Sequence, residues 1–91
     1  MLTFIQDPQA KLDYAVDWRQ WLADDEIESF VITATPDMEV AAVPTPMVNT
    51  GILVFWLQGG SVDNDYMVTC HINTVGGRTD ERTFRVKVKT L

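Results

Sequence analysis

Tyr66-Met67-Val68-Thr69-Cys70-His71-Ile72-Asn73 sets an apolar side chain at every second position. That two-residue period predicts a half-buried strand, because successive side chains of a strand point to opposite faces. Gly76-Gly77 turns the chain after it, and Phe84, Val86 and Val88 repeat the alternation in a last strand. Upstream, Gly51 opens and Gly59-Gly60 closes the run Ile52-Leu53-Val54-Phe55-Trp56-Leu57, the paired glycines supplying the φ freedom of a tight connection. Phe30, Ile32 and Ala34 alternate with Ser29, Val31 and Thr33 until Pro36-Asp37, and Met38 to Val43 offers a short return strand, so this pair reads as a hairpin. Leu12, Tyr14, Val16 and Trp18 alternate in the same way after a turn at Asp7-Pro8. Trp18, Trp21 and Leu22, at i, i+3, i+4, predict one helical turn that closes on an exposed acidic corner, Asp24-Asp25-Glu26.

About six to seven short strands with no helix of normal length are the signature of an all-β fold, a small antiparallel sandwich. No second domain or repeat is visible, so residues 1–91 are expected to form one domain. Asp63-x-x-Tyr66-x-x-x-Cys70 resembles the tyrosine corner of immunoglobulin-like folds, in which a phenol hydroxyl pins the chain as it enters a core strand.

Composition narrows the function. With 46% hydrophobic and 22% charged residues, the chain can bury one core but no cleft walled by two domains, which argues against a conventional enzyme. Thirteen acidic against seven basic side chains give a net charge of −6, which repels phosphate backbones, so no nucleic-acid partner is expected. The lone Cys70 excludes an internal disulfide and suits a reducing cytosol. Met1 to Ile5 lacks the features of a signal peptide, and Ile52 to Leu57 is far too short to span a bilayer, so the reading is a soluble chain with no membrane partner.

No catalytic or cofactor site emerges. Cys70 and His71 are neighbours on a strand and point to opposite faces, out of reach of each other for nucleophilic catalysis. One His and one Cys fall short of a structural zinc site. Asp63-Asn64-Asp65 lacks the further bidentate acid and spaced glycine of an EF-hand loop and reads as a turn. Neither glycine pair is followed by a helix that could cradle phosphate. No metal or cofactor is therefore expected, and the acidic corner reads as a solvated face.

What remains is surplus apolar surface. Ile52 to Leu57 is apolar on both faces, so either Ile52, Val54 and Trp56 or Leu53, Phe55 and Leu57 must stay outside the core. A partner covers that set, or Met1 to Ile5 or the Trp18/Trp21 turn folds over it. Charge is uneven too. Residues 1–45 carry two basic against nine acidic side chains, a net of −7, and residues 46–91 carry five against four, a net of +1. Arg85, Lys87 and Lys89 leave one side of the last strand, where they either guard a sheet edge or meet an acidic face on the next copy.

Arg78-Thr79-Asp80-Glu81-Arg82-Thr83-Phe84 after Gly76-Gly77, with Asp7-Pro8, Lys11-Leu12-Asp13-Tyr14, Asp17-Trp18, Trp21-Leu22, Trp56-Leu57 and Tyr66-Met67-Val68, resembles the small fibre-tail adaptor proteins of tailed bacteriophages across most of the chain. Phe30-Val31 and Pro36-Asp37-Met38 depart from that pattern, which is richer in Ser and Thr at the first and has a glycine after the proline at the second. The resemblance implies an immunoglobulin-like β-sandwich in the virion, made in the host cytoplasm. It would be non-enzymatic, repeated as a homo-oligomeric ring around the tail axis, and would bridge tail or baseplate to fibre proteins. It also implies that Arg78, Asp80, Glu81 and Arg82 form a charged network holding the preceding turn or a neighbouring protein. With the aromatic anchors Trp18, Trp21 and Trp56 and the strand residues Ile52 and Val54, these make the expected partner-binding set. The alternative is a carbohydrate-recognising β-sandwich that stacks sugars on exposed tryptophans.

Overall fold

The computed structural model describes all 91 residues. Eight strands and one helical turn follow in the order β1 (Thr3–Gln6), β2 (Lys11–Asp17), α1 (Arg19–Leu22), β3 (Ile27–Ala34), β4 (Met38–Val40), β5 (Met47–Asn49), β6 (Ile52–Gly59), β7 (Asp65–Thr74) and β8 (Thr79–Val88). They form two sheets packed as a sandwich, one ordered β1-β8-β7-β3 and the other β2-β6-β4, with β5 also paired to β6.

The alternating segments supply the core. From β7 come Tyr66, Val68, Cys70 and Ile72, from β8 Phe84, Val86 and Val88, and from β6 Leu53, Phe55 and Leu57, all buried. Each fully buried aliphatic or aromatic side chain is worth roughly 1.5–3 kcal/mol of transfer free energy. Tyr14, Phe55 and Phe84 stack with centroids 5.5–6.2 Å apart, and Phe4 meets Tyr14 and Phe84 edge-on at 5.3 and 5.4 Å. Trp18 and Leu22 bring α1 into the same cluster.

Four expectations change. There are eight strands, because β1 and β5 also pair, and the sandwich is not wholly antiparallel, since β1 runs parallel to β8 with Phe4 opposite Val86. The segments on either side of Pro36-Asp37 are not a hairpin: β3 pairs with β7, whereas β4 pairs with β6 in the other sheet. Asp37 takes a φ of 85° and its carbonyl accepts the Gly60 N–H, which turns the chain between sheets and lets Met38 point into the core. That left-handed position is one that only glycine adopts without steric cost. Finally, β8 lies between β1 and β7, so Arg85, Lys87 and Lys89 do not guard an edge. One real edge is broken instead: β4 and β5 pair with opposite ends of β6, and residues 42–46, with two prolines, leave the sheet between them.

Candidate functional site

The charged run at the start of β8 and the tryptophans of the β2–α1 corner meet in one clasp. The Arg78 guanidinium lies 4.2 Å from the centre of the Trp21 ring, and its Nε donates to Asp25 Oδ2 at 3.1 Å. Its Nη2 and Nη1 donate to the Leu22 and Trp21 carbonyls at 2.9 and 3.3 Å, capping the C-terminal end of α1 with a cation. Arg82 covers the Trp18 ring at 4.8 Å, donates to the Asp17 carbonyl at 2.9 Å and pairs with Asp80 at 3.5 Å. Trp18 Nε1 donates to Asp80 Oδ2 at 2.8 Å. Glu81 points to the other face and approaches His71 Nδ1 at 3.3 Å.

Electrostatics follow from these contacts. The Trp18 indole N–H, ahead of the Glu81 N–H and Arg82, holds the Asp80 carboxyl below the usual carboxylate range. Asp25 is held further down, chiefly by the Thr74 hydroxyl and then by the N–H groups of Glu26 and Gly76 and by Arg78. Asp25 is therefore not part of a solvated acidic face, since its carboxylate pins the hairpin tip through Gly76 N–H at 2.9 Å. The Asp17 carboxylate accepts the guanidinium and the backbone N–H of Arg19, which bring its pKa down to about 2.

These contacts bear on the tryptophans. Trp18 is wholly buried and offers no surface to a partner. Trp21 is half-buried with Arg78 over its ring, and Trp56 stands on the outer face of β6. Sugar stacking needs open aromatic faces, and the Trp18 and Trp21 rings are already occupied. Cys70 is buried and desolvation pushes its thiol up to about 12, while His71 faces outward, so the two lie on opposite sides of β7.

Two apolar surfaces remain. On β6 the inward set is Leu53, Phe55 and Leu57, leaving Ile52, Val54 and Trp56 half-buried on the outer face and outside the core cluster. Ala15 and Met47 stand beside Val54, and Asp13 beside Trp56. Neither segment expected to cover this stripe does so, because Met1 to Ile5 runs along the other sheet and the Trp18/Trp21 turn closes the end of the core.

The second surface escaped sequence reasoning. An open groove of ≈ 670 Å³ runs between β1 and β2, where the two sheets part. Leu2, Phe4, Ile5 and Leu12 stand on its walls, 71%, 39%, 57% and 41% exposed, above Tyr14 and Phe84. The signal was present in the apolar character of Leu2, Phe4 and Ile5, but only the parallel pairing of β1 with β8 brings them beside Leu12.

Comparison with protein families matches residues 6–87 to the family described as Podophage GP4 fiber-tail adaptor protein gp77. Comparison with curated proteins gave no match.

Proposed function

The chain belongs to the podophage fibre-tail adaptor family, and from that premise we propose that it is a non-enzymatic virion protein that joins the phage tail to fibre or baseplate proteins. In this reading it is made in the host cytoplasm and assembles in several copies around the tail axis as a ring. The observation that carries the reading is the family match over nearly the whole sandwich, with β2 to β7, all but the last residue of β8 and the clasp inside the matched residues.

The architecture supports it. A frame tied together by its own side chains leaves two apolar surfaces uncovered, and soluble monomers seldom expose large contiguous patches without a contact to make. We read the fold as immunoglobulin-like, because β2, β6 and β4 face β3, β7 and β8 as strands B, E and D face C, F and G in that fold. Tyr66 adds to this: its hydroxyl accepts the Ser61 N–H at 2.7 Å, the bond of a tyrosine corner.

The test is reconstitution. The purified chain, mixed with the tail and fibre proteins of its phage, is expected to sediment with both in one complex. Failure to bind either would overturn the proposal.

A further inference from the structure

We propose that the acidic, apolar outer face of the β2-β6-β4 sheet docks on the Arg85 and Lys87 end of the outer face of the β1-β8-β7-β3 sheet of a second copy. The inference rests on the adaptor reading and names the faces through which copies meet.

The first face has an apolar centre with an acidic border. Ile52, Val54 and Trp56 run down β6, with the 56%-exposed Met47 beside Val54. Asp13 stands opposite Trp56, and Glu39 stands opposite Gln58, whose side-chain amide donates to it at 2.8 Å. Neither carboxylate forms an ion pair within the chain, whereas Asp17 on the same face is already held by Arg19 at 2.7 Å. Lys11, opposite Gln58, offsets part of this charge but leaves the Trp56 end acidic.

The second face carries both signs: Arg85 and Lys87 stand at the Ile5 end, and Glu81, which approaches His71 at 3.3 Å, lies further along β8. Arg85 and Lys87 leave one side of β8 without an ion pair. Met67 lies across from Arg85 and the 57%-exposed Ile5 across from Lys87, while Asp65, also across from Lys87, makes no ion pair with it. This strand is interior to its sheet, so its cations have no edge to protect.

Complementarity selects the pairing. Asp13 and Glu39 set against their own copies, or Arg85 and Lys87 against theirs, would bring like charges together, which suppresses those pairings. The mixed pairing sets Asp13 and Glu39 among Arg85 and Lys87 while the apolar residues of both faces are covered. Because the two patches differ and lie on opposite sides of the sandwich, the contact is head-to-tail, which makes a ring where the rotation between copies closes and a filament where it does not.

The experiment is a charge exchange read by sedimentation velocity at low and high salt. Wild type is expected to self-associate, more weakly as salt rises. The Asp13→Lys/Glu39→Lys and Arg85→Glu/Lys87→Glu forms should each self-associate at least about tenfold more weakly, and an equimolar mixture of the two should recover association. Wild type that stays monomeric, exchanged forms that associate like wild type, or a mixture that recovers nothing would overturn the inference. If an exchanged form fails to fold, Met47→Lys tests the same face at an exposed position and must also weaken association. Binding to tail and fibre proteins, measured on the same samples, scores the adaptor reading separately.

Discussion

Gln6 is a buried amide in a strand that would otherwise place an apolar residue there, and it joins three elements. Its side-chain nitrogen donates to the Leu57 and Ala10 carbonyls at 2.9 and 3.2 Å, and its oxygen accepts the Tyr14 hydroxyl at 2.7 Å. Gln6→Leu keeps the volume but orphans the Leu57 carbonyl, so urea unfolding should show a loss of about 1–3 kcal/mol. Asp25 sets a pH limit. Its folded-state pKa is depressed, so its stabilising effect is present above the unfolded carboxylate value of about 3.9 and is lost as pH falls through the folded value. Asp80 acts in the same direction. Thermal melts between pH 7 and pH 2 should fall steeply below about pH 4. Asp25→Asn should lower the neutral melting temperature and flatten that acid limb; an unchanged acid limb would remove Asp25 from the clasp.

At the level of elements, the alternating strands β2, β3, β7 and β8 were legible because each turns one face inward over seven or more residues, long enough for a two-residue period to show, and β6 was legible as an unbroken apolar run between Gly51 and Gly59-Gly60. β1 was hidden because Gln6 takes an inward position with a polar residue, and β5 because three residues carry no period. A chain that crosses between sheets at Asp37 has the same turn signal as a hairpin, so β4 was given the wrong neighbour. In the site, the charged run and the tryptophans were legible as special, yet their pairing was not: Arg78 reaches Asp25 across 53 positions, a separation no local pattern encodes. The β6–β7 connection tests the role of its glycines. A Cβ on Gly60 would lie 2.8 Å from Val88 Cγ2, on a residue with a φ of 87°. Gly60→Ala should therefore cost about 1–3 kcal/mol by chemical denaturation.

Over the whole molecule, the charge imbalance between the two halves is partly resolved within one chain, since Arg78 and Arg82 from the second half bind Asp25 and the Asp17 carbonyl of the first. The remaining net charge of −6 keeps copies apart unless specific faces meet. Stability should be graded across the sandwich. β7 and β8, interior to their sheet and joined over nine paired positions, should exchange amide hydrogens slowest, and the three-residue edge strands β4 and β5 fastest. Equal protection throughout would contradict this ordering. The parallel pairing of Thr3–Gln6 with Arg85–Val88 has a kinetic corollary. On the ribosome, Thr3–Gln6 must wait for Arg85–Val88 before it has a neighbour, so the nascent polypeptide cannot finish its sandwich until all eight strands have emerged.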